Sequence, residues 1–289
     1  MCGVGSMKIL IFPKNIEEIE KTKQLVDGFI IGIKDMSVNA NMYIEDLNIL
    51  KNINNKDIFI SINKNMHNND LDKLKEILIK LNEYNIKGVL YYDVAVLNIY
   101  RTLNLNYDLV WSQEHLTTNY NTINYWNNFG VNYTYLSSDI TEEEIIEISK
   151  NTNSKLIVNL FGYLPMFVSK RHIVKNYLEY FKLNDNSDVN YMTKENKTYP
   201  IIDNSLGTCV YSNNILNGIK TSLNINVEYI VLNGFNIELD KFISVIEMFK
   251  GVNKDNVVEY EERINSMFNN VDNGFLNTKT IYKVKKDAK

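Results

Sequence analysis

Cysteine is nearly missing from this chain of 289 residues: Cys2 and Cys209 are the only two. Cys2 sits in the leading MCGVGS, which is followed by a second methionine, Met7, so residues 1–6 are read as an upstream start or expression remnant and kept out of the fold. One thiol in the body of the chain excludes an internal disulfide and any multi-cysteine metal site there. Histidine is almost as scarce, with His67, His115 and His172 alone, and neither HExxH nor CxxC spacing occurs, so no metal site is expected. No GxSxG elbow and no GxxxxGK loop appears, which argues against a serine hydrolase and a nucleotide-driven enzyme. Apolar runs fall short of a membrane span, and the first residues lack the cationic and apolar regions of a signal peptide; the expected setting is cytoplasmic, with no membrane. A formal net charge of -4 lacks the basic footprint of a protein that grips nucleic acid unaided, so an RNA substrate would need a local basic patch or a partner.

What is present is a rhythm. Short β-rich runs alternate with segments of helical period: KILIF and an acidic helix from Asn15, GFIIGI and IEDLNILKNI, DIFISIN and LDKLKEILIKLNEY. In the third helix Leu71, Leu74, Leu78 and Leu81 recur at helical spacing, with Asp70 where an N-cap is wanted. The alternation continues through GVLYYD with VAVLNIYRTL, DLVW with a helix from about Asn119 to Phe129, and VNYTYL with TEEEIIEISK, where Thr141 and Glu144 form a capping box. KLIVNL is the seventh strand and VEYIVL the eighth, followed by a helix from about Leu239 to Lys250. Eight such units predict an α/β fold, a (β/α)8 barrel of the TIM type.

Between the last two strands the rhythm breaks, which places an insertion at about residues 161–224. Within it YPIIDNSLGTCVYSN predicts a β-hairpin around Asn204 to Gly207, with a helix beginning near Asn213. The barrel-like domain is expected over residues 7–254, and a C-terminal helix and tail over 255–289.

In such barrels chemistry collects at the carboxyl ends of the strands. The residues there are Asn63 with His67 beyond, Asp93, Gln113 with His115 behind, and Ser137 with Asp139. Strand seven opens the stretch FGYLPMFVSKRHIVKNYL, which reads as a loop carrying Gly162, Ser169 and Arg171 among Lys170, His172 and Lys175. Nearly every mouth position is polar and suits a small polar ligand. Plainer readings stand beside this one: His67 and Asp139 as helix starts, His115 as a packed histidine, the cationic cluster as a solvated face, Cys209 as a packed thiol.

VWSQEHLTTNYNTINYWNNFGVNYTYLSSDITEEEI, NLFGYLPMFVSKRHIVKNYL and YPIIDNSLGTCVYSN together resemble the peptidase U32 family of collagenase-like proteins, and SINKNMHNNDLDKL and GVLYYDVAVLNIY fit it in the same order. The resemblance implies a barrel-like fold and, for several members, oxygen-independent hydroxylation with prephenate as hydroxyl donor, on wobble uridine of tRNA, ribosomal RNA or a quinone; older members are called proteases. The family's strand-seven signature carries cluster-binding cysteines where this chain has Pro165 and His172, so no iron–sulfur cluster is expected in this chain. Small cysteine-poor members resemble the shorter subunit of a two-subunit tRNA uridine 5-hydroxylation system, which implies a second U32-family subunit as partner, tRNA contacted through the complex and prephenate as co-substrate. Arg171 would then grip a carboxylate. A U32-type peptidase and a non-catalytic scaffold are the alternatives. The ligand-binding candidates are Asn63, His67, Asp93, Gln113, His115, Ser137, Gly162, Ser169 and Arg171, with no catalytic residue assigned.

Overall fold

A computed structural model describes residues 7–113, 115–185 and 187–278. The expected first segment, 1–6, and the end of the tail, 279–289, lie outside the described residues. Among those described, eight parallel strands close on themselves: β1 (Lys8–Phe12), β2 (Gly28–Ile33), β4 (Asp57–Ile62), β5 (Gly88–Tyr91), β6 (Asp108–Ser112), β7 (Tyr133–Tyr135), β8 (Lys155–Ser169) and β12 (Tyr229–Asn233). β12 pairs with β1 on one side and β8 on the other, which completes the barrel. The runs are β-branched and buried on both faces, as in the six residues of β2, because helices cover the outside while side chains fill the inside. Each such side chain contributes about 1.5–3 kcal/mol on leaving water.

The outer layer follows the sequence closely. α1 (Ile16–Thr22) is capped by Asn15, whose side chain accepts from the Glu18 amide. α2 (Leu71–Leu81) buries Leu74, Leu78 and Leu81. α3 (Val94–Leu103), α4 (Tyr120–Asn127), α5 (Glu142–Asn151) and α7 (Leu239–Gly251) fall where the periodicity puts them. The capping box of α5 is closed from both sides: the Glu144 amide donates to Thr141 Oγ1 at 3.2 Å, and the Thr141 amide to Glu144 Oε2 at 2.7 Å. α8 (Val257–Met267) is the C-terminal helix, followed by a short strand β13 (Val271–Asp272).

Four local expectations change. IEDLNILKNI is not an α-helix: a two-residue strand β3 (Tyr43–Ile44) pairs with β2, and Leu47–Asn52 forms a 3-10 helix. Asp46 draws both the Asn48 amide and its carboxamide at 2.9 Å, and such short side-chain bonds compete with an α-helical first turn. Asp70 stands at the N-cap of α2, yet its carboxylate turns back to the His67 amide at 2.9 Å and the Lys64 amine at 2.8 Å, which holds its pKa low. FGYLPMFVS is strand rather than loop, because β8 runs on past the barrel rim to Ser169. The expected helix near Asn213 is absent: β11 (Gly207–Asn217) continues through that point, since Ile215 and Leu216 pair with Tyr163 and Gly162 of β8.

The insertion is thus a small antiparallel sheet built on the overhang of β8. β9 (Asn190–Lys194), β10 (Lys197–Asn204) and β11 follow in order, with the hairpin closing between Asn204 and Gly207. α6 (Ile173–Phe181) rests on it and leaves Ile173, Tyr177, Tyr180 and Phe181 exposed. The hairpin tip folds back onto the barrel: Asn204 Nδ2 donates to Val38 O at 2.7 Å and Tyr211 OH to Asn39 Oδ1 at 2.7 Å.

Candidate functional site

Alternate residues of a strand face opposite sides, so each barrel strand sends every second side chain inward. The inner floor is apolar and aromatic: Leu10, Ile30, Phe59, Leu90, Val110, Tyr133, Ile157, Tyr229 and Val231. One inward step toward the carboxyl ends the character changes. Phe12 follows Leu10, Ser61 follows Phe59, Ser112 follows Val110, Tyr135 follows Tyr133, Asn159 follows Ile157, and Asn233 follows Val231. These six line a cavity of about 80 Å³ at the mouth, with Pro165 of the β8 overhang among the other walls.

Asn63, Gln113, His115 and Ser137 come together around this cavity. Asn63 ties down the loop above it, accepting from the Val38 amide at 2.6 Å and donating to Asn39 O at 2.8 Å. Gln113 Nε2 approaches Tyr92 O at 3.5 Å. His115 Nδ1 faces Asp139 Oδ2 at 3.2 Å on the exposed rim, and Ser137 Oγ accepts from the Asp139 amide at 3.1 Å. The other candidates lie elsewhere. Asp93 caps α3, accepting from the Ala95 and Met66 amides at 2.9 Å. His67 meets Lys170 just past the end of the overhang. Ser169 Oγ accepts from the Arg171 amide at 3.1 Å, and the Arg171 side chain is exposed and makes no ion pair among the described residues. Gly162 has φ +112°, and a Cβ there would sit 2.1 Å from Asn233 O, so its lack of a side chain sets how closely β8 passes Asn233.

Several lining residues were not anticipated, among them Ser61, Ser138 and two buried asparagines. Asn233 is 6% exposed and accepts from Asn41 Nδ2 at 2.8 Å and the Phe235 amide at 2.9 Å, which anchors the neighbouring loop. Asn159 is 7% exposed, and among the described residues its Oδ1 has no hydrogen-bond partner. A carboxamide in that state costs about 1–3 kcal/mol, so a fold keeps one only where something else compensates. The signal was available: a lone asparagine at an inward position of the otherwise apolar KLIVNLF. A register shift between β8 and β12 falls beside it, and bulges of this kind gather next to functional sites because they re-aim side chains.

No lysine or arginine lines the cavity among the described residues. Lys14, just past β1, is turned to Ile237 O, and burial lowers its pKa. The polar groups of the mouth are therefore mostly hydroxyls and carboxamides, set among apolar walls, with His115 and Asp139 at the rim. No group of three or more His, Cys, Asp or Glu among the described residues could hold a metal ion. No helix there is long and apolar enough to cross a membrane.

The profile of peptidase family U32 matches residues 19–283. The chain belongs to peptidase family U32. Within reach of this U32 protein is the tRNA hydroxylation protein P2 of Bacillus subtilis (strain 168), 26% identical over 250 residues that cover 78% of this chain and 81% of that protein. A solved U32 peptidase is similar at 12% identity over 56% of this chain and 71% of that one, with a TM-score of 0.45. A tryptophan synthase alpha chain from Legionella pneumophila is similar at 10% identity over 91% and 90%, with a TM-score of 0.42. The iron–sulfur cluster implied for the family needs a set of thiolates. The described residues offer Cys209 alone, fully buried in a cluster with Tyr211 and Phe235; Pro165 is a cavity wall and His172 precedes α6, so these residues do not fit a cluster.

Proposed function

We propose that this U32 protein is a subunit of a system that hydroxylates uridine at C5 in the wobble position of tRNA, with prephenate as hydroxyl donor and a second U32-family protein as partner. The observation that carries the reading is the buried Asn159 carboxamide, whose Oδ1 has no partner among the described residues, in the cavity at the barrel mouth, the place where such barrels do chemistry. A scaffold with an idle mouth would gain by replacing it with an apolar residue. The likeness to a Bacillus subtilis protein named for tRNA hydroxylation supports the substrate. A net charge of -4 supports sharing the RNA contact with a partner, and the exposed stripe Ile173, Tyr177, Tyr180 and Phe181 supports a protein surface covering α6. In this reading the chain's own part is to hold and orient the reacting group at the mouth, while redox chemistry belongs to the partner. Arg171, exposed at the end of the overhang, is the carboxylate grip for prephenate.

The family's name points to peptidase chemistry, but the described residues assemble no nucleophile with a base. Cys209 is fully buried, and among the described residues no serine hydroxyl bonds to a histidine. The test is mass spectrometry of tRNA nucleosides from the native host with and without the gene. Derivatives of 5-hydroxyuridine should vanish on deletion and return with the intact gene; an unchanged nucleoside profile contradicts the reading.

A further inference from the structure

We infer that the cavity at the barrel mouth takes one neutral pyrimidine ring, and that the carboxamide of Asn159 reads its edge. The inference deepens the hydroxylation reading, in which the ring is uracil, but its support is the cavity's own chemistry.

Size comes first. A volume of about 80 Å³ holds roughly five to eight waters, enough for a single small ring. Charge points the same way. The lining contains hydroxyls and carboxamides, no lysine or arginine, and one carboxylate, Asp139, which faces His115 at the rim. An anion entering would lose its hydration and meet no cation, whereas a neutral ring loses little.

Hydrogen bonding then narrows the class. Three polar residues of the lining are already committed, Asn63 to the Val38–Asn39 loop, Asn233 to Asn41 and Phe235, and Ser137 to Asp139, while the hydroxyls of Ser61, Ser112 and Ser138 line the cavity beside Asn159. Asn159 is 7% exposed, its Oδ1 accepts from nothing described, and no hydrogen bond to its Nδ2 is formed among the described residues. A carboxamide offers an acceptor beside a donor, and an edge that carries N–H beside C=O, as that of uracil does, complements it. Phe12, Leu90 and Tyr135 supply apolar lining for the ring's faces. A base reaches such a site only when unstacked, so the polymer that delivers it is single-stranded or looped.

The experiment is a ligand-detected NMR titration of the purified full chain with uridine, 3-methyluridine and prephenate. Uridine should bind saturably; 3-methyluridine, which lacks the N3–H, should bind at least tenfold more weakly; prephenate should not displace uridine. Asn159→Leu should abolish uridine binding without lowering the melting temperature, and Asn159→Ala should do the same should the larger side chain disturb folding. Absence of uridine binding, equal binding of 3-methyluridine, displacement by prephenate, or full binding by both variants would each overturn the inference. Its failure is separable from that of the hydroxylation reading: gene-dependent 5-hydroxyuridine with no uridine in the cavity sinks this inference alone, and uridine binding without gene-dependent 5-hydroxyuridine sinks the other alone.

Discussion

At the amino-terminal end of the barrel the polar groups around Tyr229 are paired, while toward the carboxyl end Asn159 Oδ1 has no partner among the described residues, as is also true of the Tyr91 hydroxyl on β5 and the Trp111 indole nitrogen on β6. Tyr229 OH donates to Asp57 Oδ2 at 2.7 Å, Lys8 pairs with Glu228 at 3.0 Å, Lys87 with Asp108 at 3.4 Å, and Lys155 reaches Tyr133 OH at 3.2 Å. Phe59 meets Tyr229 and Tyr133 edge-on, with centroids 5.5 and 6.0 Å apart, and burial together with Asp57 pushes the Tyr229 phenol well above its ordinary pKa. The mouth is made by the same strands one inward step later, and there Asn159 stays unanswered among the described residues. The difference teaches where the fold spends stability: the floor secures the barrel, and the mouth keeps a buried carboxamide oxygen without a partner among the described residues.

Substitutions can break this contrast from either end. The largest effect is expected from Tyr229→Ala, which opens a void under Phe59 and orphans Asp57; urea unfolding should show a loss of about 3–5 kcal/mol. Gly162→Ala forces a side chain into a φ of +112° and against Asn233 O, and should cost about 1–3 kcal/mol while also impairing the mouth. Asn159→Leu runs the other way. It removes an unsatisfied buried group, so unfolding free energy should hold or rise by up to about 1–3 kcal/mol even as activity is lost. Arg171→Ala should change stability by less than about 0.5 kcal/mol, because the side chain is exposed and unpaired among the described residues, yet it should lower wobble hydroxylation measured on nucleosides.

Much of the barrel was legible because its signals are local. Period-2 and period-3.6 patterns, the Asn15 cap and the Thr141–Glu144 box need no knowledge of the far chain, and the hairpin at Asn204–Gly207 is closed by its own turn. The missed elements depend on distant partners. β8 becomes fifteen residues long only because β11 lies beside its overhang, and Ile215–Leu216 stay extended because β8 and β13 flank them. The site was half legible for a related reason. Looking just after the strands finds Asn63, Gln113, His115 and Ser137 and passes over Asn233, which directly follows VEYIVL, while Asn159 lies within KLIVNL and shows itself only when inward positions are followed step by step around a closed barrel.

The account rests on the mouth being a working site whose orphaned carboxamide serves tRNA hydroxylation. The most direct measurement replaces the chromosomal gene with the Asn159→Leu form and quantifies 5-hydroxyuridine derivatives in tRNA, with the variant's abundance and melting temperature measured alongside. The account predicts that the modification falls to the level of the deletion strain while the protein remains abundant and as stable as before. Full modification by an abundant Asn159→Leu protein would contradict it.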